Sequence, residues 1–124
     1  MPTTTNTVFN ADADSRQFMI TVTFLVPLIV DVKPILKADF PFTIDNVIAR
    51  TESGSHQVAI GRRRNSVGAN LFVGNITVSD TTGTHTPTGN NDFIVDDMLV
   101  LSYSNLNNPQ MSSIQINCTR DYTQ

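Results

Sequence analysis

The stretch Phe18-Met19-Ile20-Thr21-Val22-Thr23-Phe24-Leu25-Val26 decides the fold. In an extended chain successive side chains point to opposite faces. Phe18, Ile20, Val22, Phe24 and Val26 therefore line one face, and Met19, Thr21, Thr23 and Leu25 the other. The segment is rich in β-branched and aromatic residues, which suit a pleated surface packed on a core. Pro27 cannot donate to a ladder, so a bend or a sheet edge is expected before residues 28–32 resume the apolar run. The run from Phe18 to Val32 is interrupted by Thr21, Thr23 and Pro27. It falls short of the ~20 apolar residues that a membrane helix requires, so it reads as strand and no membrane partner is expected.

The same rhythm continues toward the C-terminus. Residues 40–50 (Phe-Pro-Phe-Thr-Ile-Asp-Asn-Val-Ile-Ala-Arg) read as a strand whose alternation slips near Asn46, the signature of a bulge. Ser53-Gly54-Ser55 reads as a turn and residues 56–60 as a hairpin return with Val58 and Ile60 in phase. Residues 61–68 read as a loop, and residues 70–79 as a strand with Phe72, Ile76 and Val78 on one face. The polar, turn-forming stretch 80–91 is expected to be an exposed or functional loop. Residues 92–104 place Phe93, Val95, Leu99, Leu101 and Tyr103 on one face, interrupted by Asp97. Residues 105–109 read as a turn, and residues 110–119 as a last strand with Ile114, Ile116 and Cys118 inward.

About seven or eight short strands at spacings of roughly 8 to 15 residues predict a single all-β domain over residues 16–124, an antiparallel β-sandwich or jelly roll. Residues 1–15 are polar and lack a hydrophobic period; they are expected to form a flexible N-terminal arm able to order against a neighbour. The N-terminus shows no basic region followed by an apolar core, so no secretory signal is expected.

Composition narrows the function. The chain has 124 residues, a formal net charge of -3, one cysteine and no Trp. A mild acidic balance argues against affinity gained by neutralising phosphates, so nucleic acid is not an expected partner. A lone Cys118 excludes an intrachain disulfide and any paired-cysteine metal site; in the inward phase it reads as an inert buried thiol. His56 and His85 lie on separate polar segments without a second ligand at metal spacing, and both read as surface histidines. No local signature marks a Ser-His-Asp site, so no catalytic residue, cofactor or enzyme activity is expected. Asp12 and Asp14, and separately Asp92, Asp96 and Asp97, could lend oxygens to calcium. Neither set has the spacing of a calcium loop, so solvated carboxylates are expected and no metal site is assigned. Asn75-Ile76-Thr77 and Asn117-Cys118-Thr119 fit the glycosylation sequon and carry no weight without a secretory route.

Arg62, Arg63 and Arg64 form the one concentrated charge. Guanidinium groups pair carboxylates bidentately, so the triplet is a candidate for docking on an acidic face of a partner subunit; a solvated loop is the plain alternative.

The succession Phe42-Thr43-Ile44-Asp45, Ser53-Gly54-Ser55 and Val58-Ala59-Ile60, then Phe93-Ile94-Val95-Asp96-Asp97-Met98-Leu99-Val100-Leu101 and Asn108-Pro109-Gln110, resembles small β-sandwich structural proteins of tailed bacteriophages. In those proteins a Gly-Asp-like turn feeds a hydrophobic strand; here Asp96-Asp97 stands in its place. The resemblance covers roughly residues 40–120. It implies a virion component, a capsid decoration (cement) protein made in the host cytoplasm. Such a protein sits as a homotrimer on the outer capsid surface, contacts the major capsid protein and braces adjacent capsomers. The competing expectation is a glycan- or receptor-binding module of a tail or head fibre, using the 81–91 loop with Tyr103 or Tyr122 as a sugar platform.

Overall fold

A computed structural model of the chain describes residues 4–10, 17–24 and 32–121, with side chains described for 17–23 and 34–121. These residues form β1 (Thr4–Asn10), β2 (Gln17–Phe24), β3 (Val32–Lys37), β4 (Phe42–Arg50), β5 (Ser53–Arg64), β6 (Val67–Asn70), β7 (Ile76–Val78), β8 (Gly83–His85), β9 (Asp92–Phe93), β10 (Met98–Gln110) and β11 (Ser112–Arg120). No helix long and apolar enough to cross a membrane occurs among them.

The strands make two antiparallel sheets. One runs β1-β2-β11-β4-β8, with β9 also on β4; the other runs β3-β10-β5-β6, with β7 also on β5. Their inner faces form a single core, and the chain is an all-β antiparallel sandwich, as the strand rhythm predicts. Phe18, Ile20 and Val22 of β2, Ile114, Ile116 and Cys118 of β11, and Leu99, Leu101 and Tyr103 of β10 are all buried. At one end Phe42 stacks on Phe93 at 4.8 Å between ring centroids and meets Phe18 edge-on at 5.3 Å. The Arg120 guanidinium covers the Phe40 ring at 4.2 Å.

The bulge expected near Asn46 is present. The β11–β4 register shifts between Asn117 and Cys118, so that Asp45 is the extra residue between Ile44 and Asn46. Asp45 and Asn46 thereby both reach the outer face, while Ile44 and Val47 remain buried. The alternation slips because the strand gains one residue there.

Several boundaries differ from expectation. Ser53-Gly54-Ser55 is the start of β5 rather than a turn. Gly54 has φ +71, and a Cβ there would overlap the carbonyl oxygens of Asn107 and Asn108. Only glycine allows that approach of two backbones. Residues 61–64 continue β5, and the reversal is a tight turn at Asn65 and Ser66, with φ of 51° and 66°, the doubly left-handed form that matches hairpin twist. The expected strand over 70–79 is interrupted after β6 and resumes as β7. Asn105-Leu106-Asn107-Asn108-Pro109 lies within β10, which is bulged between Ser104 and Asn107 and again between Asn107 and Gln110; the reversal into β11 is at Met111, with φ 53°.

Of the residues expected in a flexible arm, Thr4–Asn10 pair with β2 in unbroken antiparallel register, from Thr4 opposite Phe24 to Asn10 opposite Phe18. The remainder of residues 1–15, the bend at Pro27 and Tyr122 lie outside the described residues.

Candidate functional site

The arginine triplet is divided by strand alternation. Arg62 and Arg64 share the face of β5 that carries the buried Val58 and Ile60, at the point where the core meets solvent; Arg63 projects from the opposite face and is exposed. The inward pair meets carboxylates supplied about 30 residues later. Arg62 Nη1 donates to Asp92 Oδ1 at 2.7 Å and to the Asp92 carbonyl at 2.9 Å. Arg64 grips Asp97 in a fork, Nε to Oδ1 at 2.9 Å and Nη2 to Oδ2 at 2.7 Å. Asp97 Oδ2 also accepts the Ile94 N–H at 2.9 Å.

Asp97, expected to break an apolar face, is instead 1 % exposed and the anchor of this network. Burial pushes its pKa up, but the Arg64 hydrogen bonds, the Ile94 N–H and the charges of Arg64 and Arg62 outweigh burial. The net effect holds the carboxyl below its ordinary value. Because β9 belongs to one sheet and β5 to the other, the Arg62–Asp92 pair bridges the sheets at this end.

The network fixes a turn. Asp97 N–H donates to the Ile94 carbonyl at 3.0 Å, and Asp96 has φ 78°, a left-handed backbone that glycine adopts without strain. Val95, expected inward, is 50 % exposed at the turn, with Ile94 45 % exposed beside it and Val67 of β6 68 % exposed at the same end. The assignment fails at Val95, because residues 94–97 leave the strand, while Phe93, Leu99, Leu101 and Tyr103 are buried as expected. The three carboxylates weighed as calcium ligands each face a cation: Asp92 meets Arg62 and, at 3.9 Å, Arg64, which also grips Asp97, while Asp96 meets Lys37 at 3.1 Å. Among the described residues no group of three or more His, Cys, Asp or Glu is placed to hold a metal.

A second polar arrangement lies on the outer face of the β2-β11-β4 sheet. An open groove of about 690 Å³ is lined by Gln17, Met19, Asp45, Asn46, Asn117 and Thr119, among others. Gln115 Nε2 donates to Asn117 Oδ1 at 3.1 Å, Asn117 Nδ2 to Asn46 Oδ1 at 2.6 Å, and Thr119 Oγ1 to Asp45 Oδ2. The bulge creates this row by bringing Asp45 to the outer face beside Asn46.

His56 is 1 % exposed, so the surface assignment is corrected. It lies in phase with Val58 and Ile60, and its neighbours in the core are polar. Nδ1–H donates to the Gln57 carbonyl at 3.2 Å, leaving Nε2 to accept the Ser112 hydroxyl at 2.7 Å, while the Tyr103 ring packs against it at 5.1 Å. Desolvation lowers the His56 pKa, the Gln57 bond opposing it. The unfolded imidazole, which titrates near pH ~6.5, therefore takes up its proton first. His56 contributes full stability above that pH and loses it as the pH falls toward the lower folded value. Thermal melting between pH 8 and 5 should show this decline, and His56→Gln should flatten it; an unchanged profile in the variant would assign the decline elsewhere.

Tyr103 is 1 % exposed, which removes it as a sugar platform. The 80–91 segment is also more ordered in its contacts than a free loop. β8 pairs with β4, the Thr88 N–H donates to the Leu71 carbonyl at 2.8 Å, and the Asn91 amide donates to the Ile44 carbonyl at 2.9 Å. Cys118 is buried as expected, with burial, and secondarily the Asp45 charge, raising its pKa away from reactivity.

No protein-family model matches the chain, and no curated protein matches its sequence. Among solved structures it is similar to the family 11 carbohydrate-binding module of the cellulosomal cellulase Lic26A-Cel5E of Clostridium thermocellum. The identity is 9 %, with 97 % of this chain and 83 % of that chain covered at a TM-score of 0.38.

Proposed function

We propose that this chain is a non-enzymatic structural protein of a phage virion, a capsid decoration protein that binds the outer shell and stabilises contacts between capsomers. The observation that carries the reading is the exposed apolar turn at Ile94 and Val95, held by the hydrogen bonds of Asp97, with exposed Val67 of β6 paired opposite Arg64. Apolar side chains presented on a preorganised base, with charge at the rim, have the anatomy of a docking surface. Arg63 is the arginine of the triplet left available to a partner carboxylate; Arg62 and Arg64 serve the fold. The resemblance in strand rhythm supplies the kind of partner, the major capsid protein.

A second reading, a glycan-binding module, is favoured by the outer-face groove, whose amides, hydroxyl and carboxylate could bond sugar hydroxyls. One experiment separates the two: co-sedimentation of the purified protein with capsid shells lacking it. Under the decoration reading Val95→Asp weakens retention about ten-fold or more, Arg63→Glu weakens it less, and Asn117→Ala leaves it intact. Retention unaffected by Val95→Asp and Arg63→Glu would sink that docking surface. Retention lost in Asn117→Ala and competed by soluble oligosaccharide would favour the second reading.

A further inference from the structure

We infer that the free edge of β1 pairs with β1 of a second copy of this chain, so that one sheet runs through a two-fold dimer. The basis is a contrast among the sheet edges. An unpaired strand edge offers a row of N–H and C=O groups to any neighbour, and proteins blunt such edges with proline, lysine, bulges or shortness. β3, at the edge of its sheet, carries Lys33, Pro34 and Lys37, and its register on β10 shifts between Leu99 and Val100. At the remaining edges β6 has 4 residues, β7 and β8 have 3 each, and β9 has 2. β1 has none of these devices. It has 7 residues, Thr-Thr-Asn-Thr-Val-Phe-Asn, without charge, proline or glycine, and it holds an unbroken register against β2, its one partner among the described residues.

The same contrast selects the occupant. Ring closure by sheet extension needs a second, different open edge on each copy, and the other edges are short or obstructed. An isologous contact needs only β1 itself. Antiparallel pairing about Thr7 sets Thr7 opposite Thr7 of the other copy, Val8 opposite Asn6 and Phe9 opposite Thr5. An uncharged strand meets itself without repulsion. The consequence differs from the homotrimer implied by the phage resemblance: the closed unit is a dimer. Seven paired residues fall short of the ~1,200 Å² or more that stable interfaces bury, so the association is reversible and depends on concentration.

Sedimentation equilibrium of the full chain tests this without assuming the virion reading. The wild-type mass should rise with concentration from 13.6 kDa toward twice that value. Thr7→Lys and Thr7→Glu should each weaken association about five-fold or more, because like charges meet across the two-fold. An equimolar mixture of the two should recover it. Thr5→Lys repeats the test at a second position, and circular dichroism shows whether each variant keeps its strands. A monomer at every concentration, a trimer, or a dimer that Thr7→Lys leaves intact would each overturn the inference.

Discussion

Phe42→Ala is expected to cost about 3–5 kcal/mol, the usual range for deleting a fully buried aromatic ring. Phe42 is 2 % exposed and stands between Phe93, stacked on it, and Phe18 and Phe40, both edge-on. Removing the ring opens a void that the surrounding strands cannot close, since β4 is paired to β11 along its length and to β9 through Phe42 and Thr43. Small domains have total stabilities of roughly 5–15 kcal/mol, so the loss would consume a large share. At about 4 °C per kcal/mol the melting temperature should fall by some 12–20 °C. Phe40→Ala makes the comparison: Phe40 is only partly buried and its ring lies under Arg120, so a smaller decrease is expected. Equal decreases would mean that the cluster does not act as a core.

Asp97→Ala is the second large effect, at about 3 kcal/mol, near the lower end for removing one partner of a buried ion pair. The carboxylate side chain is 2 % exposed and Arg64 is 32 % exposed; the guanidinium can turn toward water, which limits the cost. What cannot be recovered is the acceptor for the Ile94 N–H, whose loss leaves the 94–97 turn without its anchor. Asp97→Asn keeps an acceptor while removing the charge, so about half the effect is expected. The pH dependence distinguishes them further. The folded carboxyl titrates below its ordinary value, so its stabilisation is complete above about pH 4 and lost as the pH falls through the lower folded value. Urea unfolding at pH 7 and at pH 3 should show a gap between wild type and Asp97→Asn that narrows in acid. A gap that stays constant would mean that the Asp97 charge does not stabilise the fold.

Local alternation made part of this architecture legible. The inward Phe18, Ile20 and Val22 of β2 and Ile114, Ile116 and Cys118 of β11 follow directly from period two, and the slip at Asn46 announces the bulge because an inserted residue changes phase while the apolar positions continue. Alternation is silent about what a strand meets at its end. Arg62 and Arg64 continue the phase of Val58 and Ile60, so their inward direction was readable in principle; the carboxylates that make an inward arginine tolerable come from residues 92 and 97, beyond any local window. The asparagines were ambiguous for a different reason. Asn65, Asn105 and Asn108 all adopt positive φ, a conformation asparagine tolerates in turns and bulges alike. Asn65 belongs to a hairpin reversal and the other two to kinks inside β10; only strand pairing separates the cases. His56 was misread because its polar sequence neighbours said nothing of Ser112 and Tyr103, which reach it through the fold. The exposed apolar turn had no local signal, since Ile94 and Val95 look like any apolar pair until a turn lifts them out of the strand.

The position of β11 bears on how the molecule comes to exist. β11 lies between β2 and β4, pairing with both along nearly its whole length, yet it is the last strand in chain order. During synthesis β2 and β4 are made early and have no common neighbour until residues 112–120 have left the ribosome. The strand edges that β11 joins stay without it until the residues between Arg50 and Ser112 have been made. Sheet closure is therefore a late and long-range event of the slow kind, and nascent chains stopped before Ser112 should be captured by chaperones or proteases rather than accumulate as partial sandwiches.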